Sequence, residues 1–524
     1  LSRILTMAFA RGEANSLGWR NLVNVPAEPH CGHEFPASST PLLLLHHLSD
    51  LHVCDAQSPT RPEYLDRNAD PDSPIREQVG TIGTYRAHSM LSPHVVESMV
   101  QSLNTITRGP LSGHEIAGAI ITGDTTDNAQ KNEVDWYLAL LDGLEIRPDS
   151  GDFSKYEGVI DDGAEHYDVR YWHPHGTPTG KEDDLPRAKY GFPVVPNLLN
   201  SCRAPFKATG LSFPWFAVHG NHDALLQGTV APTPEVNKEM VDGKRYTGLP
   251  STTNLFEVLM QFKEVGPAGY PAADDAPYID VAADLERRAI ERGEYAKLHL
   301  ASPGSPRGHG FTEENARNKT MYYSTDIQGV KLIVIDSVNH YGGWQGSMDE
   351  EQFAWLEKEV AASQKPVVLA SHHPLSKMFN DYSPTGRRVC LDEIRDMLLK
   401  YPKVIAWLAG HEHRHHIEWI GDIEEVNGFW QIETASHADW PQQSRTVEIV
   451  TDATGDIYFG LTVIDHAAGI DYAGATTPLE IAALSRTISA NVWQKRPELG
   501  AKHGIDWWLG RVTDRNVVLK INKR

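Results

Sequence analysis

The chain has 524 residues, 40% of them hydrophobic and 23% charged, the composition of an ordinary globular protein with enough length for at least one large core. Asp and Glu number 70 against 48 Lys and Arg, a formal charge of −22, which repels a nucleic-acid backbone or an anionic membrane and disfavours polymeric DNA or RNA as a partner. No run reaches the roughly 18–20 apolar residues of a membrane-spanning helix. Four cysteines, Cys31, Cys54, Cys202 and Cys390, are too few for a disulfide scaffold, and either one bridge or four idle thiols fits them.

Residues 1–40 are polar, with scattered Gly and Pro, and predict an irregular arm. An apolar run at 42–48 then stops at Ser49-Asp50, the pattern of a strand buried on both faces of a layered sheet. The same pattern recurs at 116–122 before Gly123-Asp124, at 215–219 before Gly220-Asn221 and at 330–335 before Asp336-Ser337. It returns at 366–371 before His372-His373 and at 404–409 before Gly410-His411. Each strand thus delivers polar residues at its C-terminal end, the rim where ligand sites of layered α/β folds lie.

Helical spacing of apolar residues predicts helices over 93–106, 132–144 and 349–361. Segments 147–205 and 225–319 have no sustained period, apart from a helix predicted over 278–295, and loops of this length are usually functional or separately structured. Both are read as insertions over the rim. The chain therefore divides into the arm (1–40), a main domain (41–450) carrying the two insertions, and a C-terminal extension (451–524) with a strand over 457–464 and a helix over 478–494.

Five short motifs stand at the strand ends: Asp50-Leu51-His52, Gly123-Asp124-Thr125-Thr126-Asp127, Gly220-Asn221-His222-Asp223, His372-His373-Pro374 and Gly410-His411-Glu412-His413. Singly, each is weak, because an Asp-x-His is more often a satisfied loop pair than a metal site, and Gly-Asn favours a turn. Their occurrence in order, each directly after a buried-strand pattern, removes that explanation. Carboxylates mixed with imidazoles suit Zn, Mn, Fe or Co.

This ordered set resembles the calcineurin-like metallophosphoesterase superfamily over residues 42–440. Residues 50–59 and the long insertions further resemble an actinobacterial group whose members carry a twin-arginine export signal, which implies export to the cell surface, the periplasm or the medium. The resemblance implies a four-layer α/β/β/α sandwich and two transition-metal ions, Mn, Fe or Zn in unspecified combination. Asp50, His52 and His413 would hold one ion, Asn221, His372 and His411 the other, with Asp124 bridging. It also implies hydrolysis of phosphate esters by a hydroxide activated between the two metals, attacking in line with the leaving group. His222 would be the general acid or a phosphate contact, and Asp223 would orient its ring. Purple acid phosphatases have a Tyr ligand to ferric iron three residues after the bridging Asp; here that position is Asp127, so no obligatory ferric site is implied.

Beyond these residues, His373 is expected to support the ligands, and His415 and His416 to sit in a solvated turn. Arg61, Arg67, Arg86 and His94 are candidates to contact phosphate, while His340, Trp344 and His437-Ala438-Asp439-Trp440 are candidates to meet an organic group. The preferred substrate is a small phosphodiester or nucleotide-like ester, with a monoester as the alternative. A nuclease is opposed by the net charge, and a non-catalytic binding module by the full ligand set.

Overall fold

The structure is a computed structural model that describes residues 3–161, 163–422 and 427–522, so the outermost ends of the arm and of the C-terminal extension lie outside the described residues. Two mixed sheets form its centre. One runs in the order Cys31–Gly32, Val517–Ile521, Ile457–Asp465, Gln443–Thr451, Thr40–Leu48, Gly118–Ile121, Trp215–Ala217, and its last three strands are parallel. The other runs Tyr323–Ile327, Val330–Val334, Val367–Ala370, Val404–Ala409, Gly428–Glu433, His416–Gly421, with its four inner strands parallel.

The period of two along each strand divides the core into layers. Leu332, Val334, Val368, Ala370, Ala406 and Leu408 join one cluster with Leu43 and Leu45 of the first sheet. Their neighbours Ile333, Val367, Leu369, Trp407 and Ala409 turn the other way, onto Leu356 and Val360 of helix Glu350–Ala362 and Ile394 and Met397 of helix Leu391–Leu398. Helices Ser92–Asn104 and Lys131–Asp142 pack on the first sheet through Val96, Met99, Leu103, Tyr137 and Leu141. The fold is the expected α/β/β/α sandwich, with the parallel strand ends of both sheets at one rim.

Three local expectations are corrected. Residues 3–40 are not irregular throughout: Met7–Ala14 and Arg20–Pro26 form an antiparallel hairpin that buries Leu22 beside Trp440 and Ile505. No helix spans 278–295. Strand Tyr278–Asp280 and a 3-10 turn at Leu285–Arg287 precede a helix over Arg292–Ala301, because Asp284 caps the turn and Arg287 is drawn into a buried ion pair. The helix expected over 478–494 ends at Ser489, where Asn491 donates back to the Thr487 carbonyl and to that of Arg20.

The C-terminal extension lends two strands to the seven-stranded sheet. All four cysteines are free thiols, and among the described residues no helix is long and apolar enough to cross a membrane.

Candidate metal centre

Five residues at the strand ends are left-handed without being glycine: Asp50, His52, Asp124, His411 and His413 have φ between +43° and +70°. L-residues visit this region at a cost, and such strain clusters at functional sites because it re-aims side chains over a rim. Backbone bonds hold the turns: the Asp50 amide donates to the Gly123 carbonyl at 3.1 Å, and the His52 amide to that of Asp124 at 2.9 Å. The glycines of the motifs leave room for the ligands. A Cβ on Gly220 would overlap the backbone and carboxylate of Asp124, and one on Gly410 would overlap Ser49 and Asp50.

Six of the expected ligands converge through their polar atoms. His52 Nε2 and His413 Nε2 face each other at 3.1 Å, with Asp50 Oδ1 3.3 Å from His413. Asp124 Oδ2 lies 3.6 Å from His52 Nε2 and 3.2 Å from His372 Nε2, so one carboxylate touches both groups. His411 Nδ1 is 3.2 Å from His372 Nε2. Asn221, the seventh, donates its Nδ2 to the Gly228 carbonyl at 3.0 Å, which leaves its buried Oδ1 without a partner.

Their hydrogen bonds set the tautomers. His52 donates Nδ1–H to Asp127 at 3.0 Å, His413 donates Nδ1–H to Asp439 at 2.5 Å, and His372 donates Nδ1–H to the Thr122 carbonyl at 2.8 Å. Three Nε2 lone pairs therefore converge on carboxylates and on each other, an arrangement that only positive charge relieves. Against burial, the Asp124 and Asp50 carboxylates raise the His372 imidazole to about 9, and those of Asp50 and Asp439 raise His413 to about 10. With the orphaned Asn221 oxygen, this nitrogen and oxygen donor set fits a pair of divalent transition metals.

Behind the ligands stand two parallel His–Asp–Arg chains. Asp127 takes His52 on one side and Arg61 on the other; Asp439 takes His413 and a bidentate pair from Arg86 at 2.8 and 2.9 Å. Arg61 and Arg86 are thus committed to the carboxylates that hold His52 and His413 and are not available to substrate. Arg67 pairs with Asp168 at 2.6 Å, and His94 is buried against Phe206. Such outer carboxylates fix the ligand ring and raise its basicity, so Asp439→Ala is expected to weaken metal binding by about 10–100-fold. Metal titration of the purified variant measures this, and an unchanged affinity contradicts it.

Asp223 does not orient His222. Its carboxylate accepts from Thr125 Oγ1 at 2.7 Å, the Thr126 amide at 2.9 Å and the Gly220 amide at 2.8 Å, locking the two ligand loops together. The His222 ring is held instead by the Asp127 carbonyl, 2.6 Å from Nδ1, leaving Nε2 free. Burial lowers this imidazole to about 4, partly offset by Asp124.

His373 spends both nitrogens on Ser337 Oγ and the Trp344 carbonyl, each at 2.8 Å, so its presence beside His372 and His411 does not make it a ligand. His415 is not in a solvated turn. It is fully buried between Arg445 and Gln443, while His416 opens a strand. Trp344 stacks on His411 with ring centres 5.7 Å apart, His340 lies 3.5 Å from an Arg292 nitrogen, and His437 bonds the Ser49 carbonyl inside the core. Sequence reading missed Asp127 and Asp439 as partners of ligand histidines. A carboxylate three residues beyond Asp124, and another in the loop between strands Gly428–Glu433 and Gln443–Thr451, were the available signals.

Residues 198–415, which include Asn221, His372, His411 and His413, match the model of the family described as Calcineurin-like phosphoesterase. A "Probable glycerophosphodiester phosphodiesterase GpdQ" from Arcobacter nitrofigilis is 32% identical over 87 residues, 16% of this chain and 32% of that protein, so the chain spans about a third of that relative's length. Among solved structures, a dimetal phosphatase from Danio rerio aligns at 11% identity and TM-score 0.35, over 82% of this chain and all of that one. The sulfate thiohydrolase SoxB of Thermus thermophilus aligns at 9% identity and TM-score 0.28, over 83% of this chain and 58% of that one. Over residues 198–415 the chain is thus similar to the calcineurin-like phosphoesterase family.

Proposed function

We propose that the chain hydrolyses small phosphate esters at this centre, with phosphodiesters preferred and monoesters as the second choice. The observation that carries the reading is the convergence of three imidazole lone pairs, two carboxylates and the unpartnered Asn221 oxygen at one rim. Asp50, His52 and His413 would hold one cation, Asn221, His372 and His411 the other, and Asp124 both; Mn, Fe and Zn all suit this set. Bound there, the pair supplies charge neutralisation for the phosphoryl oxygens and lowers the pKa of water.

The remaining work falls to the protein. Asp127 and Asp439 keep the ligand rings in register, and Asp223 holds the Asp124 and Asn221 loops at a fixed spacing. His222 presents Nε2 at the edge of the centre, where an incoming phosphate anion counters the burial that keeps the ring neutral. The protonated ring then delivers a proton to the leaving oxygen. The name of the Arcobacter relative, a probable glycerophosphodiester phosphodiesterase, favours diesters. Export remains part of this proposal through the resemblance of residues 50–59 to exported proteins.

The reading is tested by turnover of bis-nitrophenyl phosphate, nitrophenyl phosphate, cyclic nucleotides and glycerophosphodiesters after loading with Mn or Zn. A higher kcat/KM for diesters supports it, a clear monoester preference moves it to the alternative, and no hydrolysis by metal-loaded protein overturns it. His222→Ala is expected to cost about 10²-fold on alkyl esters and far less on nitrophenyl esters, whose leaving group needs no proton. Equal losses on both would make His222 a phosphate contact.

A further inference from the structure

We propose that the cavity bounded by Arg67, Arg170, Arg245, Tyr64, Tyr171 and Tyr246 is a binding site for a small aromatic anion, separate from the metal centre. The proposal goes beyond the hydrolytic reading above and does not depend on it.

The cavity measures about 530 Å³, and small-molecule sites run from about 300 to 1,000 Å³. None of the seven expected metal ligands lines it. Three stretches of chain meet there: residues 61–67 after the first motif, residues 165–171 of the first insertion and residues 245–247 of the second. Strand Lys244–Tyr246 pairs antiparallel with Tyr278–Asp280 and carries Arg245 at its middle, opposite Ile279. Tyr64, Tyr171 and Tyr246 are all buried, so the wall they form is firm as well as aromatic.

Among the described residues, four guanidinium groups and three carboxylates line the cavity. Most of them are spent on each other. Arg61 is taken by Asp127 and by Glu63, which lies 3.1 Å from its Nε. Asp168 is shared by Arg67 at 2.6 Å and Arg170 at 2.8 Å, so one negative charge there faces two positive ones. Glu165 is exposed.

Arg245 differs from the other three. It is 4% exposed, its Nη2 donates to the Gly158 carbonyl at 3.2 Å, and its Nε is buried without a partner. Among the described residues it forms no ion pair. The buried Tyr64 hydroxyl has no hydrogen-bond partner either.

A guanidinium has five N–H donors and stays charged, so burying one with a single hydrogen bond and no counter-charge is costly. A ligand anion supplies what is missing, because a carboxylate or phosphate group takes two parallel N–H bonds from an arginine. The Tyr64 hydroxyl offers a further donor, and a flat ring on the ligand packs against the tyrosine wall. Arg61 belongs both to this cavity and, through Asp127, to the support of His52, so the two sites share one wall without sharing a ligand.

The test is calorimetry of metal-loaded protein with phenylphosphonate, which has the anion and the ring but no ester to hydrolyse. Wild type should show two classes of site. Arg245→Gln should weaken one class at least about tenfold and leave the other unchanged, since bonds to a charged group are the strong ones. Asp124→Ala should lose the other class and keep the one that depends on Arg245. Methylphosphonate, without the ring, should bind the Arg245 class at least about fivefold more weakly. Turnover of bis-nitrophenyl phosphate by Arg245→Gln should stay within about twofold of wild type. A single class that vanishes in Asp124→Ala, equal affinity for the two phosphonates, or turnover that falls with binding in Arg245→Gln overturns the proposal. An Arg245-dependent class in a protein without turnover supports it while the hydrolase reading fails. Should Arg245→Gln not fold, Arg170→Gln decides, because that side chain is half exposed. Its loss leaves Asp168 wholly to Arg67 and should weaken the same class about threefold, and an unchanged affinity overturns the site.

Discussion

Asp124→Ala is expected to bind well under one equivalent of transition metal in place of two, and to lose at least about 10³-fold in kcat/KM, roughly 4 kcal/mol of transition-state stabilisation. The reason is position. One oxygen of Asp124 lies 3.2 Å from His372 Nε2 and 3.6 Å from His52 Nε2, so its removal takes a ligand from both halves of the centre. The other oxygen accepts the His222 amide at 2.8 Å, so the same change loosens the loop that carries Asn221 and His222. Asp124→Asn keeps the shape and that amide bond but removes the charge that opposes burial at His372; it should retain more metal than alanine and still lose most activity. Metal content by elemental analysis together with turnover checks both, and an alanine variant with two equivalents and wild-type rates would remove Asp124 from the centre.

What could be read in advance followed from burial. A parallel strand covered on both faces has no polar alternation, so 404–409 reads as one apolar run and is a strand over the same residues, Val404–Ala409, in the fold. Each such run ends at the rim of its sheet, and there the polar motifs stand, so order along the chain carried information about proximity in space. Asp223 marks the limit. It follows His222 in sequence, yet the short helix Asn221–Ala224 turns it away from that ring and onto Thr125 and Thr126.

Arg61 and Arg86 were equally opaque. A guanidinium on a long stem goes to whichever carboxylate the fold brings near, and Asp439 is 353 residues from Arg86. The hairpin of Met7–Ala14 with Arg20–Pro26 has the same character: its local composition is plain, and the side chains that hold it to the fold, Asn491 on Arg20 and Asp506 on Arg11, are 471 and 495 residues away. Propensity and period describe an element, while the contacts of a long polar side chain are a property of the whole fold.

Asp55→Ala is expected to be the most destabilising single change outside the metal ligands, by about 3–5 kcal/mol, because it leaves the buried Arg287 without a counter-charge. Asp55 and Arg287 are both sealed from solvent, and the Arg287 Nε is 3.4 Å from Asp55 Oδ2. The same carboxylate accepts from Ser150 Oγ at 2.7 Å and from Asn132 Nδ2 at 2.9 Å. One side chain five residues after Asp50 therefore fastens segment 147–205 through Ser150 and segment 225–319 through Arg287. Direct bonds between the segments, Gly151 amide to Asp284 at 2.9 Å and Ala282 amide to Glu157 at 2.9 Å, depend on that shared anchor.

Loss of Asp55 should lower the thermal midpoint and open both segments to limited proteolysis near Ser150 and Arg287 before the sheets unfold. The double variant Asp55→Ala/Arg287→Met, which removes both charges, should recover part of the loss, since an apolar side chain in that volume has no desolvation cost to meet. Equal midpoints and identical cleavage patterns for wild type and Asp55→Ala would show that the segments are held by their apolar contacts alone.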